Sequence, residues 1–279
     1  MFSSLADKLV LSNGVQMPGI GFGTWQVPTD STLENAVSAA LKLGYRFFDT
    51  AQIYGNASAI GRGVLLSDLP RAEIFISSKI WTSHRSYDGV MRAFTDIIEQ
   101  LKTTYLDQLL IHWPATQGEP MIWQSQNAGT WRALEDLYEQ GAVKVIGVSN
   151  FLPLLARARI RPMVNQLEIH PGYPQFAAVN FCFKQNIAVQ AWSPLGRGGL
   201  THHPLLIELG EKYGVSPALI ALRWSLQHGF IPVVKALDAE HMKSNLDAFG
   251  LTLEDEDMTR LDTMQQVAFS GLHPDTVTF

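Results

Sequence analysis

One cysteine in 279 residues excludes an intrachain disulfide, and Cys182 lies in the apolar run Phe181-Cys182-Phe183, the setting of a buried small hydrophobe rather than a reactive thiol. Charged residues make up only 17% of the chain, and its formal net charge of -5 comes without a lysine-arginine run or a basic helix face. The electrostatic footprint of a nucleic-acid binder is therefore missing. No apolar run reaches membrane-spanning length. The N-terminal stretch MFSSLADKLVLSNGVQMP carries Asp7 and Lys8 where a signal peptide needs an unbroken apolar core, so the cytoplasm is the expected location. No low-complexity stretch or Pro/Gly-rich linker interrupts the chain, and no His/Cys/Asp/Glu spacing of a metal site stands out, so no metal is expected.

What is present is apolar and ordered. Hydrophobic residues are 46% of the chain, enough to bury a large core. After Lys8, KLVLSNGVQMP reads as two short strands joined at Asn13-Gly14, a dipeptide suited to the positive φ angles of a tight hairpin. From there short apolar or β-branched runs alternate with helix-period segments: IGFGT, YRFFDT, IFISSKI, LDQLLIHW, VKVIGVSN, MVNQLEI, AVQAWSPL and FIPVVKA. Helices are expected over Ser31 to Leu43, Ser86 to Thr104, Thr130 to Gln140 and Pro217 to Gln227. Eight such units in one domain spanning residues 1–279 predict an α/β fold, a (β/α)8 (TIM) barrel with an N-terminal β-hairpin cap. An open doubly wound sheet would carry a glycine-rich phosphate loop opening a helix, whereas Gly19-Ile20-Gly21-Phe22-Gly23-Thr24-Trp25 alternates glycine along a strand and runs into tryptophan.

In a parallel barrel, reactive groups gather where the strands end. The successive ends offer Asp49 with Tyr54 close behind, then Lys79, His112, Ser149-Asn150, Gln166, Trp192-Ser193 and Lys235. Taken singly each has a structural reading: Asp49 as a helix cap, Tyr54 as packing with a wet hydroxyl, Lys79 as a solvated cation, His112 as a satisfied core histidine. Together an acid, a phenol, an ammonium and an imidazole at three consecutive strand ends can share one pocket. A phenol, with an ordinary pKa of about 10, donates a proton poorly near neutrality unless its anion is stabilised. Lys79 suits that role, Asp49 keeps Lys79 charged, and a neutral His112 can polarise a carbonyl oxygen. The set lacks a good nucleophile and asks for a hydride from a cofactor.

These motifs resemble the aldo-keto reductases, and within them the bacterial branch that contains 2,5-diketo-D-gluconate reductases. The similarity runs through GFGTWQ at 21–26, GYRFFDTAQIYGN at 44–56, SKIW at 78–81, IHWP at 111–114, IGVSNF at 146–151, NQLEIHP at 165–171 and WSPLGRGG at 192–199. The resemblance implies reversible reduction of aldehydes or ketones, diketones and keto-sugars among them, by hydride from a nicotinamide, usually that of NADPH; the departure at His241 described below implies that NADH is also accepted. It assigns the proton donor to Tyr54, the supporting lysine to Lys79, the paired acid to Asp49 and the substrate-orienting histidine to His112. It places the nicotinamide carboxamide against Ser149, Asn150 and Gln166, its ring on Trp192, and the pyrophosphate along Ser193, Leu195 and Gly196. Gly23, Thr24 and Trp25 adjoin the cofactor, and Trp25, Trp81 and Trp113 line the substrate pocket.

Two departures from the pattern stand out. The segment after Asn150, FLPLLARARIRPMVN, is about a helical turn short. At the 2′-phosphate position Lys235 is kept, but Ala236 replaces a hydroxyl residue and His241 replaces an arginine, with Asn245 kept for the adenine. The resemblance also implies a monomer acting on a small carbonyl compound, with no obligate protein partner, nucleic acid or membrane. The competing readings are a non-catalytic dinucleotide-binding barrel serving as a regulatory subunit, and a phosphate-handling isomerase or hydrolase.

Overall fold

The computed structural model describes residues 2–114, 123–150, 158–274 and 277. Strands β1 (Lys8–Val10) and β2 (Gln16–Pro18) pair antiparallel, as the hairpin reading expects. Their connection is wider than a two-residue turn. Leu11 N–H bonds Val15 O and Gly14 N–H bonds Leu11 O, both at 2.9 Å, so Gly14 alone needs positive φ (84°). Asn13 is used through its side chain, which accepts from Val15 N–H at 3.2 Å and donates to Lys144 O at 2.9 Å. That second bond ties the hairpin to the barrel.

Eight parallel strands then close on themselves: β3 (Gly21–Gly23), β4 (Phe47–Asp49), β5 (Phe75–Ile80), β6 (Leu106–Ile111), β7 (Val143–Ser149), β8 (Val164–Glu168), β9 (Ala188–Trp192) and β10 (Ile231–Val234), with β10 pairing to β3. Every residue of β5 and β6 is buried, because side chains of one parity fill the interior and those of the other pack beneath the helices. All eight strands fall inside the runs expected from the sequence, and all but β5 end sooner, so several site residues lie just past a strand.

The helices are α1 (Ser31–Lys42), α2 (Ala57–Leu65), α3 (Tyr87–Leu101), α4 (Trp123–Glu139), α5 (Phe176–Lys184), α6 (Pro204–Tyr213), α7 (Pro217–Gln227), α8 (Ala239–Leu246) and α9 (Asp255–Asp262). Their starts follow from capping chemistry: Asp30 accepts from Thr32 N–H at 2.8 Å, Ser86 from Gly89 N–H at 3.0 Å and Asp238 from His241 N–H at 2.8 Å. On α3, Val90, Ala93, Phe94, Ile97 and Leu101 form the buried stripe of an amphipathic helix. The expected extension to Thr104 is cut off where Lys102 turns left-handed (φ 53°), while α4 begins seven residues before Thr130. Cys182 is fully buried in α5 beside Asn165, and burial pushes its thiol up. The first seven residues of the shortened stretch after Asn150, 151–157, lie outside the described residues, as do four of the last five positions. Among the described residues no helix is long and apolar enough to cross a membrane.

Close approach of α2 to the end of α3 rests on Gly61. A Cβ there would sit 2.7 Å from Leu101 O and 2.9 Å from Gln100 O, both backbone atoms that cannot rotate away. Gly61→Ala gains about 1 kcal/mol of helix propensity, against about 1–3 kcal/mol for overpacking. We expect a net loss of about 1 kcal/mol in urea unfolding; a gain would show that the two helices are not in hard contact.

Candidate active site

The strand ends deliver their side chains to one cavity of 690 Å³ at the C-terminal mouth of the barrel. Asp49 closes β4, Lys79 sits inside β5, and His112 follows β6 directly. Tyr54 arrives on a short 3-10 turn, Gln52–Tyr54, after β4. That turn is bracketed by a buried lock: Asn56 Nδ2 donates to Thr24 O at 2.8 Å, Thr50 Oγ1 donates to Asn56 Oδ1 at 2.7 Å, and Thr24 Oγ1 donates to Asp49 O at 2.9 Å. Position 54 is thus tied to two strands at once.

Behind the phenol lies a buried ion pair. Lys79 Nζ is 2.5 Å from Asp49 Oδ2 and also donates to Thr50 O at 3.0 Å, while Asp49 Oδ1 accepts from Gln166 Nε2 at 3.0 Å. The ammonium stands 5.3 Å from the Tyr54 ring centroid. His112 meets Tyr54 edge to face at 5.8 Å and Trp81 at 5.1 Å, and stacks on Trp113 at 6.4 Å, which in turn meets Trp192 at 6.3 Å. On the opposite wall Ser149 Oγ donates to Gln166 O at 2.8 Å, Asn150 Nδ2 to Ser149 Oγ at 3.1 Å, and Trp192 Nε1 to Asn150 Oδ1 at 2.9 Å.

The electrostatics follow from burial. Desolvation, with Asp49 second, holds the Tyr54 phenol well above its ordinary value. The net direction is upward, set by burial first and Asp49 second, so a lowering by Lys79 does not prevail in this cleft. The phenol keeps its proton, and its hydroxyl makes no hydrogen bond to the described residues. Burial, opposed by Asp49, lowers Lys79. Burial first and Lys79 second hold His112 well below the usual imidazole range, so the ring is neutral, and its Nδ1 is buried without a partner. Such a cleft can give a proton to a carbonyl oxygen and hydrogen-bond it, inside an apolar, tryptophan-rich wall.

Of the residues expected from the sequence, Gly23, Thr24, Trp25, Asp49, Tyr54, Trp81, His112, Trp113, Ser149, Asn150, Gln166, Trp192, Ser193, Leu195 and Lys235 line this cavity. Lys79 stands behind Asp49. Gly196, His241 and Asn245 are not on the lining. Gly196 faces Ala268 and Leu200, His241 is exposed and held by Asp238 at 2.5 Å, and Asn245 is buried against Tyr45. The sequence reading missed Gln26, Ile53, Pro194, Arg197, Gly198, Val233, Val234 and Leu272. Arg197, beside the glycines of GRGG, lies 5.2 Å from the Trp25 ring centroid across the cleft mouth. A lone cation among the glycines of the matched motif at 192–199 was the available signal.

A closed parallel barrel with an acid-base set at its strand ends defines a barrel enzyme with proton-donating chemistry. The pattern of the aldo/keto reductase family matches residues 19–266. The glyoxal reductase of Bacillus subtilis (strain 168) is 39% identical over 284 residues, covering 100% of both chains, and the morphine 6-dehydrogenase of Pseudomonas putida is 32% identical, covering 96% of each. An aldo-keto reductase from a Medee basin deep-sea metagenome library superposes with a TM-score of 0.91 at 34% identity, over 97% of this chain and 100% of that one. A mutant of Gox0644 in complex with NADPH superposes with a TM-score of 0.90 at 35% identity, over 98% of each chain. The chain belongs to the aldo/keto reductase family. It is an oxidoreductase that uses a nicotinamide cofactor to reduce aldehydes or ketones to alcohols.

The depressed His112 predicts a pH-dependent stability. The folded site refuses a proton that an unfolded histidine accepts below about pH 6.5, so the unfolded state binds more protons there and stability decreases as the pH is lowered, by up to about 1.4 kcal/mol per unit. Unfolding free energies at pH 7.5 and 5.5 should differ more for the natural protein than for His112→Gln. Equal differences would mean that His112 is not buried neutral.

Proposed function

We propose that this chain, as a single barrel domain over residues 1–279, reduces small aldehydes or ketones with NADPH, NADH being used less well, and that Tyr54 supplies the proton. The carrying observation is the buried Asp49–Lys79 pair with the Tyr54 phenol, the neutral His112 and a tryptophan wall in one 690 Å³ cavity. A dinucleotide suits the cleft. A Cβ on Gly23 would crowd the Val233 side chain at 3.2 Å, so glycine suits this strand end beside β10, and Lys235 and Arg197 bring two cations to a lining whose one carboxylate among the described residues, Asp49, is already paired.

Ser149, Asn150 and Gln166 would hold the carboxamide, Trp192 the ring face, and Gly23, Thr24 and Trp25 the adjoining edge. Ser193, Leu195 and Gly196 would follow the pyrophosphate, Lys235 and His241 the 2′-phosphate, and Asn245 the adenine. When bound, the nicotinamide supplies a hydride to the carbonyl carbon. Tyr54 gives its hydroxyl proton to the carbonyl oxygen as negative charge grows there, and His112 hydrogen-bonds the same oxygen. Lys79, kept charged by Asp49, stabilises the phenolate left behind. Trp25, Trp81 and Trp113 form an apolar wall for the rest of the substrate. A dinucleotide-sensing regulatory subunit would have no use for a charged pair buried behind a phenol. The absence of an apolar leader in the N-terminal stretch and the resemblance of the chain support its action as a cytoplasmic monomer.

Tyr54→Phe removes the transferable proton but leaves the cofactor cleft. Carbonyl reduction should fall by about 10²–10⁴, with the NADPH Kd, read from tryptophan fluorescence, unchanged within about twofold on the same reasoning. Turnover above a few per cent of the natural enzyme would remove Tyr54 from the role.

The Asp238 hydrogen bond, then its charge, raises His241 above the ordinary imidazole value, so a positive charge appears at position 241 as pH falls toward and below neutrality. The NADPH to NADH ratio of kcat/KM should therefore rise as pH is lowered. In His241→Arg it should be about tenfold larger and independent of pH, as a permanent charge-assisted bond implies. A ratio indifferent to both changes would place His241 away from the 2′-phosphate.

A further inference from the structure

The barrel interior holds two glutamines that the proposed chemistry leaves unused. Gln108 on β6 and Gln190 on β9 are fully buried and absent from the cavity lining. Gln108 Nε2 donates to Gln190 Oε1 at 3.1 Å, and Gln190 Nε2 donates to Gln108 Oε1 at 3.0 Å. Gln108 Nε2 also donates to Ser77 Oγ at 2.9 Å, and Gln190 Nε2 reaches Met17 Sδ at 3.2 Å. A primary amide placed in an apolar barrel is costly unless bonded, and here each polar atom of both amides has a partner. Gln190 Oε1 has a second one, Gln166 Nε2, at 2.9 Å.

The direction of this chain is set by charge. A carboxylate only accepts, so the atom of Gln166 facing Asp49 Oδ1 at 3.0 Å is its nitrogen. That nitrogen has a second N–H, and Gln190 Oε1 takes it. Gln190 must then turn its own nitrogen toward Gln108 and Met17, as observed. Both N–H groups of Gln166 are consumed inside the barrel. Its oxygen makes no hydrogen bond to the described residues, and Gln166 lines the cavity.

We infer that the Gln108–Gln190 pair is a positioning device that locks Gln166 with its carbonyl oxygen available to the cleft, so that the site selects a ligand group that donates N–H at this point. The inference rests on the dinucleotide reading above, under which that group is the nicotinamide carboxamide N–H₂. Without the Gln190 oxygen, a single bond to Asp49 holds Gln166, its amide can turn about that bond, and a donor can face the cleft in place of the acceptor.

The test is a titration followed by tryptophan fluorescence, with three ligands: NADP⁺, its 3-acetylpyridine analogue, in which a methyl replaces the carboxamide N–H₂, and 2′-phospho-ADP-ribose, which has no nicotinamide. The natural protein should bind NADP⁺ roughly tenfold more tightly than the acetyl analogue, the ratio that about 1.4 kcal/mol of a lost hydrogen bond gives. In Gln108→Leu/Gln190→Met, which removes both amides and leaves no orphan in the pair, that ratio should fall to about twofold or less, with 2′-phospho-ADP-ribose binding unchanged; these factors follow from losing one net hydrogen bond. Gln190→Glu keeps an acceptor for Gln166 and should retain the natural ratio. If the double variant does not fold, Gln190→Met is read in the same way. Undiminished discrimination in the double variant or in Gln190→Met, equal weakening of all three ligands, or collapse of the ratio in Gln190→Glu would each overturn the inference. A natural protein that binds NADP⁺ but tolerates the acetyl analogue would overturn the inference alone. One that binds neither NADP⁺ nor 2′-phospho-ADP-ribose would sink the dinucleotide reading itself.

Discussion

A lysine and an aspartate buried together, Nζ to Oδ2 at 2.5 Å, set the conditions for everything else at the barrel mouth. Removing two charges from water costs several kcal/mol per ion, and their attraction offsets this only when further hydrogen bonds satisfy both groups. The protein provides those bonds from three directions. Thr50 O accepts a second Lys79 N–H, Gln166 donates to the free Asp49 oxygen, and Thr24 and Asn56 hold the backbone on which Asp49 and Thr50 sit. Burial at this mouth keeps Tyr54 protonated, with the Asp49 charge adding to the effect, and keeps His112 uncharged, with the Lys79 charge adding to it.

Rigidity and strain are divided between two levels of the cavity. At the floor, side chains come from strands and their immediate ends, locked by neighbours on the next strand. At the rim the backbone takes conformations that L-residues avoid: Gln26 (φ 55°), Asn150 (63°), Ser193 (50°) and Arg197 (56°) all line the cavity in the left-handed region. Each costs about 1–3 kcal/mol, and such residues persist where the surroundings over-determine them. Asn150 shows how: its side chain is held by Ser149, by the His112 carbonyl and by the Trp192 indole.

The interior is more polar than a barrel core of branched aliphatics. Ser77, Gln108, Gln190 and Gln166 cross it from the hairpin cap at Met17 to the ion pair at the mouth. The cap therefore does more than cover apolar surface: its methionine sulfur ends a hydrogen-bonded path that begins at the Asp49–Lys79 pair. A closed chain of amides tolerates no partial loss, since one deletion strands its neighbours.

The sequence by itself determined the eight strand–helix units, because their periodicity is local, and also the four groups Asp49, Tyr54, Lys79 and His112, because in a parallel barrel every strand end points to the same mouth. Even Gly14 and the caps Asp30 and Ser86 could be read locally, since they bond residues within four positions. Tertiary structure decided the rest. Arg197 faces Trp25, Leu272 reaches the cavity from the tail, and Gln108 finds Gln190 82 residues away, pairings that no local pattern encodes. It also decided the direction of the Tyr54 shift: a sequence offers an ammonium and a phenol at neighbouring strand ends, but only the folded cleft shows that burial, with Asp49 second, sets that direction upward.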